Sequence, residues 1–137
     1  MPSFSIFDIA GSGMSAQTVR LNTTASNLAN ADSVSGTPAA AYKARHPVFK
    51  AVQSALSQPK AGNSVKVLGI AQSQDKSPAR YEPGNPLANA EGYVYASNVN
   101  VVEEMADMIS ASRSYQNNVE VMNTSKDLMM ATLKLGQ

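Results

Sequence analysis

Apolar residues recur at seven-residue intervals along the last part of the chain, residues 98–135. One row is Val101, Met108, Tyr115, Met122 and Met129; a second, four residues on, is Met105, Ser112, Val119, Lys126 and Leu133. Eight of these ten positions are apolar. That is the two-row pattern of a helix presenting a coiled-coil seam, not the alternation of a strand. No Pro interrupts the stretch and no Gly precedes Gly136. At 1.5 Å per residue the helix is on the order of 55 Å long, more than a small domain needs from one helix. Its ends are marked. Asn100 is placed to cap it, with Glu103 three residues on as the other half of a capping box. Glu103, Glu104 and Asp107 put negative charge in the opening turns, Lys134 sits near the end, and Gly136 follows as a stop. Ser112 and Lys126 interrupt the stripe and would fix its register against a partner. Without a partner the same pattern reads as an ordinary amphipathic core helix.

A second heptad row lies near the start: Phe7, Met14, Leu21 and Leu28, broadened by Ile6, Ala10, Thr18 and Ala25. It predicts a helix over residues 5–30, with Ser5 and Asp8 as a capping box. This helix is weak by itself. Gly11 and Gly13 each cost about 1 kcal/mol relative to Ala in a helix interior. The run Asn22-Thr23-Thr24 is poor helix material as well. Such a helix needs a partner, and the stripe at the other end of the chain supplies one. The predicted fold class is mainly α. Long N- and C-terminal helices pack as an antiparallel coiled-coil-like pair, with a small β/loop insert between them. The corresponding segments are 1–32, 33–97 and 98–137.

In the insert the periodicity changes. Residues 31–47 carry the Gly, Pro, Ser and Asp of a loop. Val48, Phe49, Val52 and Leu56 suggest a turn or two of helix, and residues 59–63 a turn. Val65 and Val67 flanking Lys66 read as a short strand, as do residues 92–95. Residues 73–78 are polar loop, and Tyr81-Glu82-Pro83-Gly84-Asn85-Pro86 is a dense turn signal.

Composition narrows the function classes. The 137 residues are 43% apolar but only 6% aromatic, without Trp, so a large core is not advertised. Net charge is +1, which sets up no global field toward nucleic acid or membrane. The charge is uneven: residues 36–97 hold seven basic and three acidic groups, residues 98–137 three and five. There is no Cys, which excludes disulfides and thiolate chemistry. The opening Met1-Pro2-Ser3-Phe4-Ser5-Ile6-Phe7-Asp8 lacks a basic segment, so no cleaved secretory signal is expected. His46 is the single His, and no carboxylates cluster near it in sequence, so it reads as a solvated or interface residue and no metal site is expected. The basic group Lys43, Arg45, His46 and Lys50 has only Tyr42 and Phe49 for stacking, so nucleic-acid binding is not expected. Glu103, Glu104 and Asp107 are explained by the helix start. Gly11-Ser12-Gly13 fits neither a nucleophile elbow nor a phosphate loop. No catalytic set, cofactor site or small-molecule site is expected.

Several stretches resemble bacterial flagellar rod and hook proteins. Ser26-Asn27-Leu28-Ala29-Asn30-Ala31-Asp32-Ser33 is similar to the signature that closes their N-terminal helix. Residues 98–105, with Asn98, Glu104 and Met105, and residues 112–118, with Arg113, Tyr115 and Asn118, are similar to the start of their C-terminal helix. The opening residues 6–12, the turn at 81–86 and the short length resemble a proximal-rod member. The resemblance implies a non-enzymatic structural subunit of the basal-body rod, the drive shaft that transmits torque from the membrane ring to the hook. It implies self-assembly with copies of itself and other rod proteins, and indirect contact with ring-side and hook-side neighbours. It further implies passage through the type III export apparatus without a cleaved signal, to a rod crossing the periplasm. The Ala-rich loop at 32–42 departs from the family's shorter Gly-Tyr turn. The residues alone leave a second reading open: a helical module that recognises one protein partner through the C-terminal seam.

Overall fold

A computed structural model of the protein describes residues 2–53 and 62–135. Helix α1 spans Pro2–Ala29 and helix α2 spans Val101–Leu135. Helix α1 starts earlier than the Ser5–Asp8 pattern suggests. Pro2 is well placed in a first turn, where its missing N–H has no intrahelical partner to lose; Ser5 therefore lies inside the helix and not at its cap. The C-terminal end is closed by Asn30, whose Nδ2 donates to Ser26 O at 2.8 Å and whose carbonyl accepts from Ser33 Oγ at 2.7 Å. At the other helix Asn100 is the cap: its Oδ1 accepts from Val102 N at 3.2 Å. Residues 98–100 thus precede α2, which starts at Val101.

The two helices meet along much of α1. Asn27 bonds to Glu104, Arg20 to Asp107, and Gly13 lies against Asn118. The meeting faces are small: Ala10, Ala16 and Ala111 are buried, and a Cβ on Gly13 would stand 2.9 Å from Asn118 Nδ2. This close approach decides which row of α2 faces inward. Glu104 and Ala111 are buried and Asn118 and Ser125 half-buried, on a row one residue before the expected Met105, Ser112, Val119, Lys126 and Leu133. Met105 and Leu133 are instead 54% and 64% exposed. Small side chains admit the neighbouring backbone; large ones at the same height would hold it off.

Space at the two α1 glycines differs, and so do the expected effects of filling it. Gly11 has nothing within 4 Å of an added Cβ. Gly11→Ala should raise stability by about 0.5–1 kcal/mol through helix propensity alone. Gly13→Leu should lower it by about 1–3 kcal/mol by wedging the helices apart at Asn118. Denaturant melts of both variants check this; equal midpoints would mean that the helices do not meet at Gly13.

The insert forms two antiparallel sheets. Strand β1 is Val34–Ser35, β2 Arg45–Val52, β3 Ser64–Gln72, β4 Ala79–Tyr81 and β5 Tyr93–Ala96. One sheet has the order β1-β5-β4 and the other is the β2-β3 ribbon. Val48, Phe49 and Val52 belong to β2, not to the turn of helix their spacing suggests. β-branched and aromatic side chains fit the pleated surface, and pairing with β3 decides the matter. Leu56 and most of the expected turn at 59–63 lie outside the described residues. The alternation predicts strands at 65–67 and 92–95; β3 is longer than that, and β1 and β4 carry no alternation long enough to read. Central strand β5 buries Val94 completely. The turn leading to it needs Gly92 at φ 82°, where an added Cβ would also meet Tyr81 at 2.9 Å. Tyr81 packs edge-on against Tyr93, ring centres 5.2 Å apart. Both strands of the ribbon pack against α1, and Val65 N donates to Ser12 Oγ at 3.0 Å.

Candidate functional site

Two polar junctions tie the insert to the helices, and both are built on asparagines of the sequence signature. The first is Asn27, near the end of α1 and 0% exposed. Its Nδ2 donates to Arg45 O at 2.8 Å and to Glu104 Oε1 at 2.7 Å. Its Oδ1 accepts from Arg45 N at 3.0 Å and from Tyr42 OH at 3.0 Å. An amide has two donors and two acceptor sites, so Asn27 is fully used. One side chain joins α1, the start of β2, the preceding loop and the first turn of α2. Beside it Arg20 Nη2 donates to Asp107 Oδ1 at 2.6 Å, and His46 Nε2 stands 3.9 Å from Glu104 Oε1.

The second junction is Asn98. Its Oδ1 accepts from Ala44 N at 2.7 Å, and its Nδ2 donates to Asp75 O at 3.0 Å and to Ser73 Oγ at 3.3 Å. Ser73 N in turn donates to Ala44 O at 2.8 Å. Asn98 therefore holds the approach to α2 against the residues that lead into β2 and out of β3. The two junctions set the angle at which the insert leaves the helix pair.

The remaining feature is apolar. Helix α2 carries large apolar side chains on faces that α1 does not cover. Val102, Met105, Ile109, Val121, Leu128, Met130 and Leu133 are all exposed in the single chain. Of the heptad residues on α2, Met108, Ser112, Val119, Met122 and Met129 are half-buried, whereas Val101, Met105, Tyr115, Lys126 and Leu133 are exposed. On α1, Phe7, Met14, Leu21 and Leu28 are all half-buried. Of the signature residues, Asn27 and Glu104 are brought together, Asn118 faces Gly13, Asn30 closes α1, and Arg113 and Tyr115 are exposed. A monomer that leaves this much apolar helix surface uncovered has the surface of an assembling subunit. None of the described helices is long and apolar enough to cross a membrane.

Two family models match separate parts of the chain. Residues 7–36 match the family model described as flagella basal body rod protein. Residues 90–135 match the one described as flagellar basal body rod FlgEFG protein C-terminal. The flagellar basal-body rod protein FlgC of Salmonella typhimurium strain LT2 is 54% identical over 137 residues, covering all of both chains. The chain belongs to the FlgC family of flagellar basal-body rod proteins. The FlgC proteins of Yersinia enterocolitica and of Buchnera aphidicola subsp. Baizongia pistaciae are 52% and 36% identical, each again over the full length of both chains. The chain is a structural rod-family protein and not an enzyme.

For this rod-family chain, the residues that sequence reasoning undervalues are polar. Glu104 is accounted for in the sequence by its place in the first turn of α2, yet it is 2% exposed and bonded to Asn27. Tyr42 reads there only as a stacking residue. It donates to Asn27 and lies under Arg45, whose guanidinium carbon is 5.5 Å from the ring centre. No periodic pattern announces such residues. Their partners lie far away in the chain.

Proposed function

We propose that this chain is a torque-bearing subunit of the flagellar drive shaft, with its two helices as the inner scaffold and its insert outside. The observation that carries the reading is the uncovered apolar surface along α2 in a member of a rod-protein family. Helices α1 and α2 act as an antiparallel coiled-coil-like pair, and the assembly seam comprises Phe7, Met14, Leu21 and Leu28 with the two heptad rows of α2. Outward residues such as Met105 and Leu133 take helices from neighbouring subunits, either copies of this chain or other rod proteins. Load passes through buried apolar contacts, because exposed loops yield under force. The ring and the hook are reached indirectly through those neighbours.

Delivery follows from the same physics. Among the described residues the buried apolar side chains are mostly small, with Val94 the largest, and the chain has no Cys. A small core without disulfides unfolds at little cost, which suits export through the narrow type III channel to a rod in the periplasm.

Removing the chain from a flagellated cell and restoring variants tests the division of labour. Leu21→Asn or Leu28→Asn should stop rod assembly and motility while export continues. Neutralising Lys43, Arg45 and Lys50 together should weaken a lateral contact at most. Electron microscopy of isolated basal bodies reads the outcome. A rod lost with the triple basic variant but intact with both leucine variants would invert the scaffold assignment.

A further inference from the structure

Beside the Asn27 junction three metal-ligating side chains converge that the rod reading does not use. His46 comes from β2, and Glu104 and Asp107 from the first turns of α2, three residues apart and so on one helix face. Their ligand atoms all lie within 4.8 Å of one another. No local pattern hints at this group, because His46 and the carboxylates lie more than fifty residues apart in the chain.

We propose that His46, Glu104 and Asp107 bind a divalent transition-metal ion of the zinc class. A second observation points to a cation. Glu104 is 2% exposed, and although its Oε1 accepts from Asn27, its Oε2 is buried with no hydrogen-bond partner among the described residues. Burying a carboxylate oxygen without a donor or a cation is costly. Charge points the same way. Asp107 is paired with the guanidinium of Arg20, whereas Glu104 has no Lys or Arg ion pair among the described residues, so the cluster keeps a negative charge for an ion to neutralise. Arg20 bonds to Asp107 through Oδ1; the carboxylate has a second oxygen to offer.

The donor set selects the metal. One imidazole with two carboxylates suits zinc and its neighbours, whereas calcium and magnesium favour oxygen ligands alone. Bonds of about 2 Å to a tetrahedral ion place adjacent ligand atoms about 3.3 Å apart. The 3.9 Å between His46 Nε2 and Glu104 Oε1 is a short closure from that. The His46 side chain is 46% exposed, so the ring is free to make the adjustment and the ion has a path from solvent. Three protein ligands leave a position for water. Bound there, the ion would clamp β2 to α2 and stiffen the angle between insert and helix pair. Metal binding is independent of the shaft function, since either can fail while the other stands.

Calorimetric titration of the full chain with zinc sulfate tests it, followed by the Co2+ absorption spectrum. A single equivalent should bind with micromolar affinity, and Mg2+ should not compete. His46→Ala and Glu104→Gln should each weaken binding by at least about tenfold. Glu91→Gln, an exposed carboxylate of the insert, should leave it unchanged. Because Glu104→Gln also alters the Asn27 junction, the half-exposed His46 is the deciding position, with helix content followed by circular dichroism. Weakened Zn2+ binding in His46→Ala at unchanged helix content supports the site. No Zn2+ uptake by the parent chain, or equal affinity in His46→Ala, overturns it.

Discussion

Asn27→Ala should destabilise the chain by at least about 3 kcal/mol and abolish rod assembly. The substitution removes all four hydrogen bonds of a fully buried amide. Its partners do not follow it to water. Arg45 N–H and C=O lose the contact that fixes the start of β2, and Glu104 Oε1 loses its donor while its other oxygen already has none among the described residues. A buried polar group left unpaired costs about 1–3 kcal/mol, and more when it is charged. Asn27→Asp should be no milder. It keeps the shape but sets a second carboxylate against Glu104 and removes the donor to Arg45 O. Asn123→Ala, exposed on α2, should stay within about 0.5 kcal/mol of the parent. Urea melts measure the stabilities, and swarming plates the consequence for motility. If Asn27→Ala melted with the parent chain, the junction would not be what orients the insert.

Met105→Asp and Ile109→Asp should leave the isolated chain as stable as before and still stop the rod from forming. Both side chains are more than half exposed, at 54% and 55%, so a charge there remains solvated in the monomer and costs within about 0.5 kcal/mol. In the assembled shaft the same charge would face a neighbour's apolar helix. Burying it unpaired costs several kcal/mol, and each 1.4 kcal/mol is about a tenfold loss in association. Loss of assembly by at least about a hundredfold is expected, with export continuing. Glu120→Gln, on an exposed polar position, should swim normally. The combination of unchanged melting and absent rods is what separates a contact surface from a folding defect. Normal basal bodies with both aspartate variants would remove α2's outer face from the interface.

These two outcomes reflect a difference in how the chain encodes its parts. Local features were legible in the sequence because their causes are local. The heptad rows, the Asn100 cap and the turn at residues 81–86 each depend on a few neighbouring residues and on backbone geometry. So does the expectation of two terminal helices around a β insert, and the signature stretches carry the family. What the periodicity did not settle is the row of α2 that faces α1. Two adjacent heptad rows differ by one residue, and both contain side chains that a helix accepts. The tertiary structure decided between them by crowding. Gly13 lies against Asn118 and Ala111 is buried two turns away, an approach too close for the longer side chains of the neighbouring row, so Met105 and Leu133 turn outward. The same holds for β2, whose Val48, Phe49 and Val52 fit a helical turn until β3 offers paired hydrogen bonds. The polar junctions were beyond the sequence for a related reason. The four bonds of Asn27, and the approach of His46 to Glu104 and Asp107, exist only between segments distant in the chain, and a side chain's local pattern carries no record of a partner that folding alone brings near.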